Sequence, residues 1–184
     1  MKLSKAFADF LLDGKAEGEY FPERNLAIVA LLVDSGLRVS EILRLDLTDV
    51  QAGLLRVVGK GNKERWVPLG EYAQRAVEAY LKVRGQHPDC PALFVSRREE
   101  RLGPQGIRLI LCNLREQLGV KRLYPHLLRH TFANLYLRSE GDLRSLQLIL
   151  GHTDMRTTAM IYTDPDVRDL QAKHRRHSPL SQIA

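Results

Sequence analysis

Cysteine is scarce in this sequence. Only Cys90 and Cys112 occur among 184 residues, and they are far apart, with no C-x-x-C spacing. A disulfide framework or a zinc ribbon usually has more thiols at closer spacing, so the sequence favours neither class. The two thiols are therefore expected to be buried or chemically inert.

Long hydrophobic runs are also missing. No segment approaches the unbroken apolar length that a membrane-spanning helix requires. The first residues, "MKLSKAFADFLLDGK", contain no long apolar core followed by a small-residue cleavage site, so nothing marks the chain for export. The sequence thus predicts a cytoplasmic protein without a membrane partner.

Linkers and repeats are absent as well. Glycine and proline punctuate the chain without clustering, and 184 residues suit one domain with its own core. We expect a single domain over 1–184, with a core at about 21–164 and a C-terminal helix and tail at 165–184. The net charge of +6 favours a polyanionic partner, because lysine and arginine release counterions when they neutralise phosphates.

Apolar residues recur with helical spacing through most of the chain. The first such stretch is "ERNLAIVALLVDSG", where Pro22 suits the first turn and Gly36 supplies the stop. Further helices are predicted in "VSEILRL", "EYAQRAVEAYLKVRG", "PQGIRLILCNLREQLG", "YPHLLRHTFANLYL", "DLRSLQLILGH", "MRTTAMIYTD" and "DPDVRDLQAKHRRH".

Strand signals are confined to the middle of the chain. The β-prone runs "LLRVVG" and "ERWVPL" flank the glycine-containing "KGNK", which predicts a hairpin, and "ALFVS" is a further candidate strand. The predicted fold class is mainly α with one small antiparallel β-sheet.

Three basic groups interrupt the apolar stretch "YPHLLRHTFANLYL". His126 and Arg129 are three residues apart and share a helix face, with His130 beside them. A zinc-protease site is disfavoured because Leu127 stands where such a site needs a glutamate base. His130 is expected to be a hydrogen-bonded core histidine.

Four more residues could carry chemistry, and each has a structural alternative. Arg38 in "SGLRVSEILRL" could pair with Glu41, and Lys60 in "VVGKGNKERWVPL" could be a solvated hairpin lysine. His152 in "LILGHTDMRTT" could cap a helix, and Tyr162 in "AMIYTD" could be a packing residue. No one of them decides a function alone.

The order of the segments does point to a function. "SGLRVSEILRL", "GKGNKERWVPL", "PHLLRHTFA" and "LGHTDMRTTAMIYTD" resemble, in that order, the signature segments of the tyrosine recombinases, or phage-type integrases, of a Xer-like kind. The resemblance runs from about Phe21 to about Asp164. It implies the family's catalytic domain, which is largely helical with a small sheet, and site-specific recombination of double-stranded DNA.

The resemblance also implies the site. Tyr162 would attack a scissile DNA phosphate that is surrounded by Arg38, Lys60, His126, Arg129 and His152. Guanidinium groups stay charged and donate paired hydrogen bonds to phosphate oxygens, which suits Arg38 and Arg129. The helix bearing His126 and Arg129 would then turn its leucines inward and these two side chains toward DNA.

The remaining roles concern proton transfer. Either His126 or His152 could accept the tyrosine proton, while Lys60 could protonate the departing 5′ oxygen. The 3′-phosphotyrosyl product conserves the bond energy, so no cofactor, metal or ATP is implied. "GKGNK" is accordingly not a Walker A loop, because it lacks both the glycine spacing and a following serine or threonine.

Two departures from the family pattern stand out. The spacing from His152 to Tyr162 is one residue longer than is usual, and the segment before Phe21 is too short for the N-terminal DNA-clamping domain that members usually carry. The chain is thus expected to be the catalytic part of a longer recombinase or a minimal one. The alternatives are a type IB topoisomerase and a DNA-binding regulator without catalysis.

The tail after the tyrosine predicts a partner. Pro165 can begin a helix in which Val167 and Leu170 share one face. Such a short helix needs a surface to cover, either on its own domain or on a neighbouring protomer. The resemblance implies the second, within a homo-tetramer on DNA.

Overall fold

Six helices and one three-stranded sheet make up the part of the chain that the structure describes. The computed structural model describes residues 21–59, 61–87 and 89–151. The elements are α1 (Pro22–Asp34), α2 (Val39–Arg44), a 3-10 turn (Leu47–Asp49), β1 (Val50–Gln51), β2 (Leu54–Val58), β3 (Glu64–Pro68), α3 (Glu71–Arg84), α4 (Pro104–Gln117), α5 (Pro125–Arg138) and α6 (Leu143–Leu150). The predicted class, mainly α with a small antiparallel sheet, is confirmed.

Helix α1 forms the centre of the core. Residues 27–32 are at most 1% exposed, so the helix is apolar on all its sides and must be surrounded. It packs chiefly against α3 and α5. Pro22 lies in its first turn and Gly36 follows its end with a φ of +60°, as the sequence predicts.

The sheet has the order β1-β2-β3, and both pairs of strands are antiparallel. Leu55 pairs with Val67, and both side chains are fully buried, which fixes the register of the predicted hairpin. The opposite face carries Trp66, which is about half exposed. Strand β1 was not predicted, because two residues are too few to show an alternating pattern.

The segment "ALFVS" is not a strand, and that prediction is wrong. Isolated bridges join Ala92 to Asp46 and Val95 to Arg101. Arg84, which is buried, instead donates to the carbonyl oxygens of Cys90, Ala92 and Leu93 at 2.9, 2.7 and 3.1 Å. The Arg84 guanidinium thus fills the hydrogen-bonding positions on these carbonyl oxygens that a neighbouring strand would otherwise use.

The two cysteines are free thiols, and each is half-buried. No helix within the described ranges is long and apolar enough to cross a bilayer. The helices predicted around Tyr162 and after Pro165 lie outside the described residues.

The turn between α1 and α2 depends on close packing at Gly36. A Cβ placed on Gly36 would lie 2.5 Å from Phe132 Cδ1 on α5 and 2.9 Å from Leu150 Cδ2 on α6. The absence of a side chain here lets three helices meet. Gly119 provides a comparison, because it has the same φ of +60° and no atom within 4 Å of its notional Cβ.

We expect Gly36→Ala to destabilise the protein more than Gly119→Ala. Both substitutions force alanine into the left-handed region, at a cost of about 1–2 kcal/mol. Only the first also overpacks the core, which adds about 1–3 kcal/mol. Urea unfolding of the two variants measures the difference, and equal losses of unfolding free energy would contradict the packing account.

Candidate active site

The described part of the candidate site is built around one carboxylate. Glu41 lies in the first turn of α2, and its side chain is only 4% exposed. Its Oε2 accepts a hydrogen bond from the backbone nitrogen of Arg38 at 2.8 Å, and its Oε1 accepts one from Arg38 NH1 at 3.1 Å. The carboxylate therefore fixes both the start of the helix and the side chain of Arg38.

Arg65 on β3 holds the same carboxylate from the other side. Its NH1 and NH2 donate to Glu41 Oε1 and Oε2 at 3.0 and 3.1 Å, which is the parallel two-bond geometry that guanidinium and carboxylate favour. Its Nε donates to the carbonyl oxygen of Ile149, near the end of α6, at 2.9 Å. Arg65 thus joins the hairpin to α2 and to α6.

The ionisation of Glu41 reflects these contacts. Burial alone would raise the pKa of this carboxyl group, but hydrogen bonds from Arg65 and Arg38 and their positive charges outweigh it, and the pKa lies below its usual value. Glu41 is accordingly an anion at neutral pH.

Arg38 therefore has two roles available to it. The alternative suggested by its sequence position, an ion pair with Glu41, is present. The side chain nevertheless remains 38% exposed. Arg65 donates to both carboxylate oxygens, and the Arg38 guanidinium donates to only one of them, through NH1. Glu41 therefore orients Arg38 and leaves part of its guanidinium accessible.

Arg129 lies in the interior, only 6% exposed. Its NH1 donates to the carbonyl oxygen of Gly36, and its NH2 donates to that of Leu150 at 2.9 Å. Arg129 falls within the arc of the helix that also presents Leu128 and Phe132 to the interior.

The histidines of α5 are placed differently from Arg129. His126, in the first turn, is exposed, as expected for a side chain that faces outward. His130 is also exposed, so its prediction as a core residue is wrong. It lies about 200° around the helix from Leu128, on the side away from the core, and its Nδ1 is 2.9 Å from Asn134 Nδ2.

These contacts close a ring of segments. Arg129 links α5 to the turn before Arg38 and to the end of α6, and Arg65 links the end of α6 to Glu41 on α2. The structure thereby brings together the segments that carry Arg38 and Arg129. The structure does not describe Lys60, His152 or Tyr162. Lys60 falls between the described ranges 21–59 and 61–87, and the other two follow residue 151.

Arg65 is the residue that the sequence argument missed. The alternation of β3 contains the signal, because Arg65 and Val67 point to the inner face while Glu64 and Trp66 point outward. A charged residue on the inner face of a strand implies a buried partner of opposite charge. That signal does not say which carboxylate the partner is.

Another tyrosine is a poor candidate for the nucleophile. Tyr80 lies in the core, stacks on Phe94 with ring centroids 5.4 Å apart, and accepts a hydrogen bond from the backbone nitrogen of Val95 at 3.3 Å. Burial raises the pKa of its hydroxyl. A substrate cannot reach this oxygen, and its proton is harder to remove than that of an ordinary tyrosine.

Known proteins resemble the chain over most of its length. The sequence model of the phage integrase family matches residues 9–168. Tyrosine recombinase XerC of Pseudomonas aeruginosa (strain LESB58) is 44% identical over 176 residues, which are 92% of this chain and 56% of that protein. XerC of Azotobacter vinelandii is also 44% identical, over 92% of this chain and 57% of that protein.

Solved structures agree in fold. The crystal structure of XerA recombinase gives a TM-score of 0.78 at 33% identity, over 97% of this chain and 64% of that chain. XerH site-specific recombinase, in a post-cleavage complex with its palindromic difH substrate, gives 0.74 at 25% identity, over 91% of this chain and 50% of that one. The chain spans little more than half the length of the curated relatives it matches. These comparisons confirm the resemblance seen in the signature segments, and the chain belongs to the phage integrase family of tyrosine recombinases.

Proposed function

We propose that the chain is the catalytic part of a site-specific DNA recombinase that cuts and rejoins DNA through a covalent phosphotyrosyl intermediate. The observation that carries the proposal is the ring of contacts that brings the Arg38 segment to Arg129 in a member of this family. Two guanidinium groups on separate elements suit a single phosphate. The DNA-bound state of XerH, a structural neighbour, supports DNA as the partner.

In the proposed reaction, the Tyr162 hydroxyl oxygen attacks the phosphorus, and the bond from phosphorus to the 5′ oxygen breaks. An ordinary tyrosine hydroxyl has a pKa near 10, so His126 or His152 accepts its proton. Lys60 donates a proton to the departing 5′ oxygen. The 5′ hydroxyl of another strand then reverses these steps, and the phosphodiester is restored without ATP or a metal.

Arg38 and Arg129 would stabilise the negative charge that develops on the non-bridging oxygens. The arrangement supports this role, because both guanidinium groups are fixed by hydrogen bonds before any phosphate arrives. A donor that needs no reorganisation at the moment of reaction contributes more to the rate than a mobile one.

We also propose that the tail after Asp164 docks on a neighbouring protomer in a homo-tetramer on DNA, and that the protein acts in the cytoplasm. The basic composition, at a net charge of +6, supports assembly on DNA. The apolar spacing of Val167 and Leu170 supports docking of the tail.

Tyr162→Phe should form no covalent adduct on nicked suicide duplexes that carry candidate inverted-repeat sites, whereas the unaltered chain should form one, visible by denaturing gel. Removal of the hydroxyl removes the nucleophile. Tyr124→Phe is the matched control, because Tyr124 is exposed at the start of α5, and it should still form the adduct. An adduct that persists in Tyr162→Phe would refute the assignment.

Lys60→Ala should be rescued when sulfur replaces the bridging 5′ oxygen of the substrate. A thiolate leaves without protonation, so a missing general acid no longer limits cleavage. Arg129→Ala should show no such rescue, since its proposed target is the non-bridging oxygens. Cleavage rates on the two substrates give the comparison, and equal losses for Lys60→Ala on both would transfer the acid role to Lys63.

Truncation after Asp164 should leave single-strand cleavage measurable while abolishing strand exchange between two sites. Leu170→Asp should do the same, because it places a charge on the proposed docking face. Asp169→Asn, on the opposite side of the predicted helix, serves as the control and should recombine normally. Normal strand exchange by the truncated chain would rule out docking, and an early thermal transition would show that the tail packs on its own domain.

A further inference from the structure

A buried carboxylate in a phosphate-binding site is an electrostatic problem. Glu41 is an anion almost removed from solvent, and it lies against Arg38, the residue proposed to bind the phosphate. Charges interact more strongly in the interior than in water. Glu41 paired with Arg38 alone would sum to zero charge, so it would cancel the attraction of Arg38 for DNA.

The structure supplies a second cation. Glu41 accepts two hydrogen bonds from Arg38 and two from Arg65, and these fill the four acceptor positions that a carboxylate offers. One negative and two positive side chains leave a net charge of +1. The cluster can then attract an anion, and Arg38 is its more exposed member, at 38% against 14% for Arg65.

Arg65 is also fixed more firmly than a surface arginine. Three of its nitrogens donate, two to Glu41 and one to Ile149 O. A Cβ placed on Gly151 would lie 2.8 Å from Arg65 Cζ, and one on Gly59 would lie 3.4 Å from Arg65 NH1. The guanidinium is therefore enclosed between the stem of the hairpin and the end of α6.

We propose that Arg65 is a positioning residue for DNA cleavage: its charge offsets that of Glu41, so that the cluster of Arg38, Glu41 and Arg65 keeps a net positive charge for the scissile phosphate. The proposal rests on the recombinase function proposed above. Arg65 need not touch DNA to act in this way. Its effect passes through Glu41, and it should therefore disappear when Glu41 no longer carries a charge.

The test is a double-substitution cycle on the cleavage rate of a suicide substrate at saturating protein. Arg65→Met should slow cleavage about 100-fold, because Glu41, then paired with Arg38 alone, cancels the positive charge of the cluster. Arg65→Met combined with Glu41→Gln should cleave at least about 10-fold faster than Arg65→Met alone, since the opposing charge is gone. The rate is measured on variants that are folded at the assay temperature, so a gain of stability from Glu41→Gln cannot by itself explain faster cleavage. A double variant that cleaves no faster than Arg65→Met would overturn the proposal.

Arg56→Met is the matched control. Arg56 also projects from the sheet and pairs with a carboxylate, Asp49, at 2.8 Å, but it belongs to β2 and pairs with Trp66 across the ladder, on the outer face. Its loss should leave the cleavage rate near that of the unaltered chain. A loss as large as that of Arg65→Met would overturn the proposal, because the effect would then follow any broken ion pair of the sheet.

The test also covers a variant that does not fold and an unaltered chain that does not cleave DNA. If Arg65→Met does not fold, Arg65→Lys retains the charge and should cleave within about 10-fold of the unaltered chain, and a 100-fold loss in this folded variant would refute the charge account. If the unaltered chain forms no adduct, the proposed function fails. The same four proteins are then compared in unfolding free energy, which tests the charge pairing of Arg65 with Glu41. If Glu41→Gln does not raise the unfolding free energy in the Arg65→Met background, that charge pairing is refuted.

Discussion

The carboxylate of Glu41 is the constraint on which the site depends. A buried anion is tolerated only when hydrogen bonds and opposite charges replace the water it has lost. Two arginines from different elements supply that replacement, so α2 and β3 must lie where they do. The position of Arg38 is then a consequence of satisfying Glu41.

Backbone carbonyls at the end of α6 hold Arg129, and they also hold Arg65. The last carbonyls of a helix have no partner within it and carry partial negative charge. Arg65 donates to Ile149 O and Arg129 donates to Leu150 O, so two guanidinium groups satisfy the end of α6.

The apolar core gives these polar contacts a rigid support. Helix α1 is enclosed on all sides, and the turn that follows it packs against Phe132 and Leu150 with room only for glycine at position 36. A close-packed interior transmits small displacements instead of absorbing them. The donors proposed to surround a phosphate thus lie on segments that pack on this core, which suits catalysis by preorganised charge.

The six described helices, the hairpin and the family all follow from local features of the sequence. Helical spacing, alternation and terminal residues such as Pro22 and Gly36 are local signals, which a single chain displays directly. The family resemblance likewise depends on short segments in a fixed order. Arg38 was found with its local partner, Glu41, because Glu41 follows it by three positions at the start of one helix.

The points where polar groups of distant segments meet are visible only in the folded protein. Arg65 binds a carboxylate 24 residues away, and Arg129 donates to a carbonyl 93 residues away, and neither partner is visible in any local pattern. The same limit explains the failed predictions: Arg84 binds the carbonyl oxygens of "ALFVS", and the direction of the core leaves His130 on the outside. Local periodicity specifies which faces a segment has, but long-range pairing of charges and carbonyls specifies what each face contacts.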